Sequence, residues 1–129
     1  MVKRIRRIED CKMKVEGALR SLSYDTNPSD VNNLHDKECV VLYGDVDLSV
    51  YTQEEYDYKI YITIEFPVQN NNEIPYVIME IVQNITNIVE QSEVSWCTSF
   101  QFSNCTVIKL GSTHLVTLTA YYEPINEWV

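Results

Sequence analysis

Glycine is scarce in this chain, with three residues in 129. A backbone loop that cradles phosphate needs several, and none of G-x-S-x-G, the P-loop or G-x-G-x-x-G occurs. With four prolines as well, the composition is neither fibrous nor low in complexity. No apolar run approaches about 18 residues, so no membrane-spanning helix is expected. The N-terminus reads Met-Val-Lys-Arg-Ile-Arg-Arg with no apolar stretch behind it, which argues against a secretory signal. The N-x-T sequons at Asn84 and Asn104 are then not expected to carry sugar. Cys11, Cys39, Cys97 and Cys105 include no C-x-x-C pair, and His35 and His114 have no second ligand nearby in sequence. Reduced, packed thiols are expected in place of a zinc site or disulfide framework.

What is present suits one globular domain spanning residues 1–129, with 45% hydrophobic residues to form a core. A chain of this size buries roughly two-thirds of its unfolded surface and needs no staple. The net charge of −9 is unevenly placed. Residues 1–22 hold Lys3, Arg4, Arg6, Arg7, Lys12, Lys14 and Arg20 against Glu9, Asp10 and Glu16, a balance of +4. The remainder, with 3 basic and 16 acidic residues, stands at −13. A basic helix on an acidic body suits contact with an acidic patch on a neighbouring copy. It also suits nucleic-acid phosphate, or simply a solvated helix face with i,i+4 pairs.

The apolar period is 3.6 over residues 3–23, where Ile5, Ile8, Cys11, Val15, Leu19 and Leu22 share one stripe. Residues 23–36 are polar and contain Pro28, which predicts a loop. The period falls to two over 38–68. Cys39 to Tyr43 is a continuous apolar run, and Val46, Leu48 and Val50 then alternate with Asp45, Asp47 and Ser49. After a polar turn at 52–55, Tyr56, Tyr58, Ile60, Ile62, Ile64, Phe66 and Val68 lie on one face of a second strand. Asp57, Lys59, Tyr61, Thr63 and Glu65 lie on the other. The two strands predict a long antiparallel hairpin. At about 3.4 Å per residue its second strand exceeds ~40 Å, longer than the core of such a domain requires. That excess predicts an open flank covered by a neighbour.

A second amphipathic helix is predicted over 73–91, with Pro75 in its first turn. Ile74, Val77, Ile78, Ile81, Val82, Ile85, Ile88 and Val89 form its apolar stripe, and Asn84 falls among the opposite polar positions. Strands return over 94–123, with a bulge expected near Ser103-Asn104 and a tight turn at Gly111-Ser112. In the last strand Val116, Leu118, Ala120 and Tyr122 share one face. The expected fold is therefore α+β, a mainly antiparallel sheet against two amphipathic helices in the order α-β-β-α-β-β.

Chemistry-bearing patterns are few. Asp45 and Asp47 share a strand face and, with Asp57 across the hairpin, suit Mg²⁺ in a small nuclease. The same alternation is what any amphipathic strand with a wet face requires. His114 lacks an identified partner, which favours a structural role. Trp128, in a polar tail ending at Val129, suits either folding back or insertion into a partner, since tryptophan is favoured at binding hot spots. No catalytic residue, metal site or cofactor is assigned, and the chain is read as non-enzymatic.

The order of elements resembles that of the tail terminator proteins of long-tailed bacteriophages and the tail-completion and neck proteins that share their fold. The likeness runs through the N-terminal amphipathic helix, the strand Glu38-Cys-Val-Val-Leu-Tyr-Gly44, the acidic turn Glu54-Glu55 and the alternating strand Tyr58-Lys-Ile-Tyr-Ile-Thr-Ile-Glu-Phe-Pro67. It continues through the second helix to Leu115-Val-Thr-Leu-Thr-Ala-Tyr-Tyr-Glu123 and so covers nearly the whole chain. The resemblance implies a virion protein that forms a ring, hexameric in the family, assembled in the host cytoplasm. Such a ring caps the tail tube protein, ends tail polymerisation and meets the head connector. A head-completion or neck adaptor is the alternative within the same class.

Copies pairing basic and acidic patches head-to-tail close into a ring where the rotation permits. The residues expected at such an interface are Arg4, Arg6 and Arg7 on one side, with Asp45, Asp47, Glu54, Glu55, Asp57, Lys59 and Tyr61 on the other. Trp128 and Val129 are expected to contact a partner. A net negative body suits passage of genomic DNA through a central pore without sticking. A small DNA-binding module using the first helix, and the Asp45/Asp47 nuclease, are the readings from other classes.

Overall fold

The computed structural model describes the backbone of residues 2–50, 56–90 and 97–124, and the side chains of residues 11–44, 60–88 and 100–122. The elements are α1 (Val2–Ser21), β1 (Val40–Val50), β2 (Tyr56–Val68), a 3-10 turn (Asn71–Glu73), α2 (Ile74–Glu90), β3 (Cys97–Leu110) and β4 (Thr113–Pro124). This is the α+β arrangement expected, in the expected order. The first helix closes two residues earlier than the periodicity suggests. Tyr24 N–H donates to Leu19 C=O at 3.1 Å and Ser23 N–H to Arg20 C=O at 2.9 Å, with Ser23 left-handed at φ 70°. That is a Schellman closure, and it brings Tyr24 back onto Leu19, both buried.

The four strands form one antiparallel sheet in the order β1-β2-β4-β3. Both helices lie on one face. Cys11, Val15, Ala18 and Leu19 of α1 and Ile74, Ile81 and Ile85 of α2 are buried against the sheet. The sheet supplies Ile60, Ile62, Ile64, Phe66 and Val68 from β2, with Val116, Leu118, Ala120 and Tyr122 from β4. These alternate positions are the ones the two-residue period predicts. Tyr24 adds its ring edge-on to Phe66, with centroids 6.2 Å apart.

One expectation about β2 is corrected. From Ile60 to Glu65 the strand is paired on both sides, with β1 through Tyr43↔Ile62 and with β4 through Ile62↔Ala120. It is an interior strand there, with no flank open to a neighbour. Among the described residues, its first four, Tyr56 to Lys59, pair with β1 alone and its last three, Phe66 to Val68, with β4 alone. The open edges of the sheet belong to β1 and β3.

The β1–β2 ladder slips by one residue between Tyr43 and Val46, where Gly44 and Asp45 stand against the single residue Tyr61. This bulge explains the pattern of β1. Val41 and Tyr43 pair with Ile64 and Ile62, and beyond the extra residue Val46, Leu48 and Val50 pair with Ile60, Tyr58 and Tyr56. The apolar positions switch from odd to even numbers without leaving their register with the even positions of β2. The bulge expected near Ser103 is present between Phe102 and Asn104, and a further slip lies between Cys97 and Ser99. Gly111 makes the turn into β4 at φ +62°.

Candidate interaction surface

The polar segment between α1 and β1 is tied down by its own side chains. Asp25 Oδ1 accepts from Asn27 N–H at 2.9 Å and Asp30 Oδ1 from Asn32 N–H at 3.0 Å. Asp25 also bridges the chain entering β1, donating to Lys37 C=O at 2.7 Å and accepting from Cys39 N–H at 2.9 Å. Arg20 Nη1 donates to the buried Thr26 hydroxyl at 2.9 Å. The segment ends over the sheet face opposite the helices. There Val31 and Leu34 join Pro67, Leu110 and Leu115 around an open pocket of about 170 Å³. Its polar lining comes from Asn32, Asn33, Glu65 and Thr113.

Beyond the pocket the described side chains of β2 and β4 on the helix-free face are uncharged and half-buried. Thr63, Thr117, Thr119, Tyr61 and Tyr121 occupy it. The Tyr61 and Tyr121 rings stand 5.8 Å apart, and Tyr121 Oη donates to Gln101 Oε1 at 2.7 Å. Tyr61, expected at an interface on the hairpin, is thus on an interior strand and packed against its neighbour.

The other expected interface residues are placed less closely. Arg4, Arg6 and Arg7 lie on the first turns of α1 by backbone alone. Asp45 is at the bulge, Asp47 pairs with Lys59 and Asp57 with Ser49, again as backbone register. Glu54, Glu55, Trp128 and Val129 lie outside the described residues. No group of three His, Cys, Asp or Glu side chains that suits a metal occurs among the described residues. His114 sits with Nδ1 3.3 Å from Val68 C=O, a link between adjacent strands. Cys11 and Cys39 are buried and Cys105 is exposed, all three as free thiols. Burial is the main cause that pushes the Cys39 thiol up to about 12, with Asp25 adding to it.

No protein-family model matches the chain, and no curated protein matches it. The surface itself must therefore carry the reading. No helix among the described residues is long and apolar enough to cross a membrane.

Nine large hydrophobic side chains are exposed among the described residues, and five of them are on the two edge strands. They are Leu42 and Tyr43 on β1, and Val107, Ile108 and Leu110 on β3. Among the described side chains of the interior strands, Ile60 to Val68 of β2 and Thr113 to Tyr122 of β4, there are none. All of residues 103–110 are exposed. Neither helix covers this half of β3, although Val107 pairs with the fully buried Val116. Sequence periodicity does not reveal this, because alternation is equally clear in an interior strand and an edge strand.

Proposed function

We propose that the protein is a phage tail terminator that works by self-assembly, forming a hexameric ring through its sheet edges. The ring caps the tail tube, ends tail polymerisation and presents a surface to the head connector. The observation that supports this best is the concentration of exposed apolar side chains on β1 and β3, the two strands whose outer edges pair with no other strand among the described residues. Soluble monomers blunt such edges with prolines, charges or short strands. Here β3 is 14 residues long, ends in Thr-Val-Ile-Lys-Leu and contains no proline. A ring of identical subunits buries both edges at once, each copy offering one to each neighbour. The order of elements that resembles the terminator family supports the same reading.

The test is the mass in solution by light scattering or native mass spectrometry. Six copies of the 15.1 kDa chain give about 91 kDa. Addition of that ring to growing tail tubes is expected to stop elongation at one end. A protein that stays monomeric at its highest soluble concentration, and leaves tube length unchanged, overturns the proposal.

A further inference from the structure

Resting on the self-assembly reading, we infer which edges meet: the β3 edge of one copy pairs antiparallel with the β1 edge of the next, extending the sheet from subunit to subunit. Direction permits this. Every neighbouring pair in the order β1-β2-β4-β3 is antiparallel, so β1 and β3 run opposite ways. A copy displaced sideways in the plane of the sheet therefore sets its β1 against β3 in continued alternation, with the helices on the same side. The contact is heterologous, the class that closes into rings.

Position agrees with direction. Leu42 pairs with Thr63, Thr63 with Thr119 and Thr119 with Asn104, so Leu42 and Asn104 stand at one level on opposite edges. The stretches free of bulges, Val40 to Tyr43 and Asn104 to Leu110, lie at the same end of the sheet. Bulges turn an edge away from pairing, and here they fall outside both stretches. At that level Leu42 and Tyr43 face Asn104 and Ser103, and the exposed Val107 and Ile108 come beside the chain entering β1 at Cys39 and Glu38.

Charge decides between this contact and the two symmetric ones. Residues 24–65, which include β1, carry ten Asp and Glu against Lys37 and Lys59. Residues 97–124, which form the β3–β4 hairpin, carry one acid, Glu123, and one lysine, Lys109. Pairing β1 with β1 sets two acidic segments together, and like charges in contact oppose association. Pairing β3 with β3 brings the two lysine-bearing hairpins together and leaves both β1 edges bare. The β3-to-β1 contact joins the hairpin of no net charge to the acidic one. Lys109 lies at the sheet end where Asp25, Asp36 and Glu38 surround the entry to β1.

The experiment uses cross-linking in the full chain with Cys105→Ser removing the exposed native thiol. Leu42→Cys and Asn104→Cys are combined, then tested singly. Mild oxidation of the double variant is expected to give a ladder of covalent multimers on a denaturing gel, and neither single variant a band above the monomer. Ile108→Lys, at a side chain 53% exposed, is expected to keep the circular dichroism of the wild type and to convert the assembly to monomer. Covalent dimers from Leu42→Cys alone or Asn104→Cys alone indicate a two-fold contact and overturn the inference. So does an assembly that forms normally while the double variant gives no ladder, or one indifferent to Ile108→Lys. These results leave the ring itself standing, whereas a wild-type monomer removes both.

Discussion

Gly44 lies against Tyr61 so closely that a Cβ at the glycine would stand 3.3 Å from the Tyr61 Cβ and 3.5 Å from its carbonyl oxygen. The contact is the inside of the β1 bulge, where two residues share one partner. Glycine is used here for close approach of two backbones, since a side chain would force the strands apart.

Gly44→Ala is expected to lower stability by about 1 kcal/mol, and Gly44→Val by more, as overpacking costs roughly 1–3 kcal/mol. Urea denaturation measures the difference. Wild-type stability in both variants would mean that β1 gives way freely at this point.

The core rests on the even-numbered face of β2. Ile62 is fully buried at the centre of that strand. Ile62→Ala should cost about 2–5 kcal/mol through lost burial and the cavity left behind. Val107→Ala, on a side chain 46% exposed, should change the stability of the monomer far less. Thermal melts of the two variants side by side check the contrast between interior and edge.

Asn84 ties the two helices together. Its Nδ2 donates to Ala18 C=O at 2.8 Å and to Ser21 Oγ at 2.9 Å, at the end of α1 where carbonyls lack helical partners. Asn84→Ala should cost about 1 kcal/mol, the usual net worth of such a bond. Asn84→Asp keeps the shape but removes the donor, and is expected to be no better. Hydrogen exchange at the last turn of α1 gives the local readout.

Alkaline stability should reflect two buried acids. Burial pushes the Cys39 thiol from its ordinary 9.0 up to about 12. The same cause, with Glu80 adding, pushes the Tyr24 phenol from 10.0 up to about 12. Each keeps its proton longer folded than unfolded, so the folded state binds more protons in that interval. Their stabilisation is complete below pH 9.0 for Cys39 and below 10.0 for Tyr24, and is lost as pH rises towards about 12. Denaturation midpoints should fall across this window, and Cys39→Ala should flatten the fall. An alkaline limb unchanged in that variant would rule out the thiol as a contributor.

Thiol chemistry separates the same residues. In a Cys97→Ser background at mildly alkaline pH, Cys105 should react with a maleimide in the native protein, because it is exposed. Cys11 and Cys39 should react only on unfolding, because both are fully buried. Mass spectrometry of partially labelled protein reads the order. Early labelling of Cys39 would contradict its place in the core.

Facing was written in the sequence. The alternation from Ile60 to Val68 and from Val116 to Tyr122 marked the buried side of both interior strands. A change of parity between Phe102 and Cys105 marked the bulge at Ser103. The same change of parity stands between Tyr43 and Val46, but the continuous apolar run Cys39 to Tyr43 has no alternation to show it. Asn84 was assigned to the polar side of α2, whereas it faces the end of α1, since periodicity around one helix does not locate a second helix beside it.

The interface residues Arg4, Arg6, Arg7, Asp45 and Asp47 were chosen from charge alone, and only their backbone positions are described. The exposure of Val107, Ile108 and Leu110 is not legible in the sequence, because the alternation of an edge strand looks like that of a covered strand.

By itself the sequence determined the elements, their order and which side of each interior strand is dry. These follow from side-chain period, turn chemistry and burial of apolar surface, all local quantities. The tertiary structure alone decided the order β1-β2-β4-β3, and with it that β2 is enclosed and β3 is an edge. Backbone hydrogen bonds join strands without reading side chains, so the neighbour of a strand depends on where the α2 connection delivers the chain. It delivers β3 two places from β2, and β4 turns back into the gap.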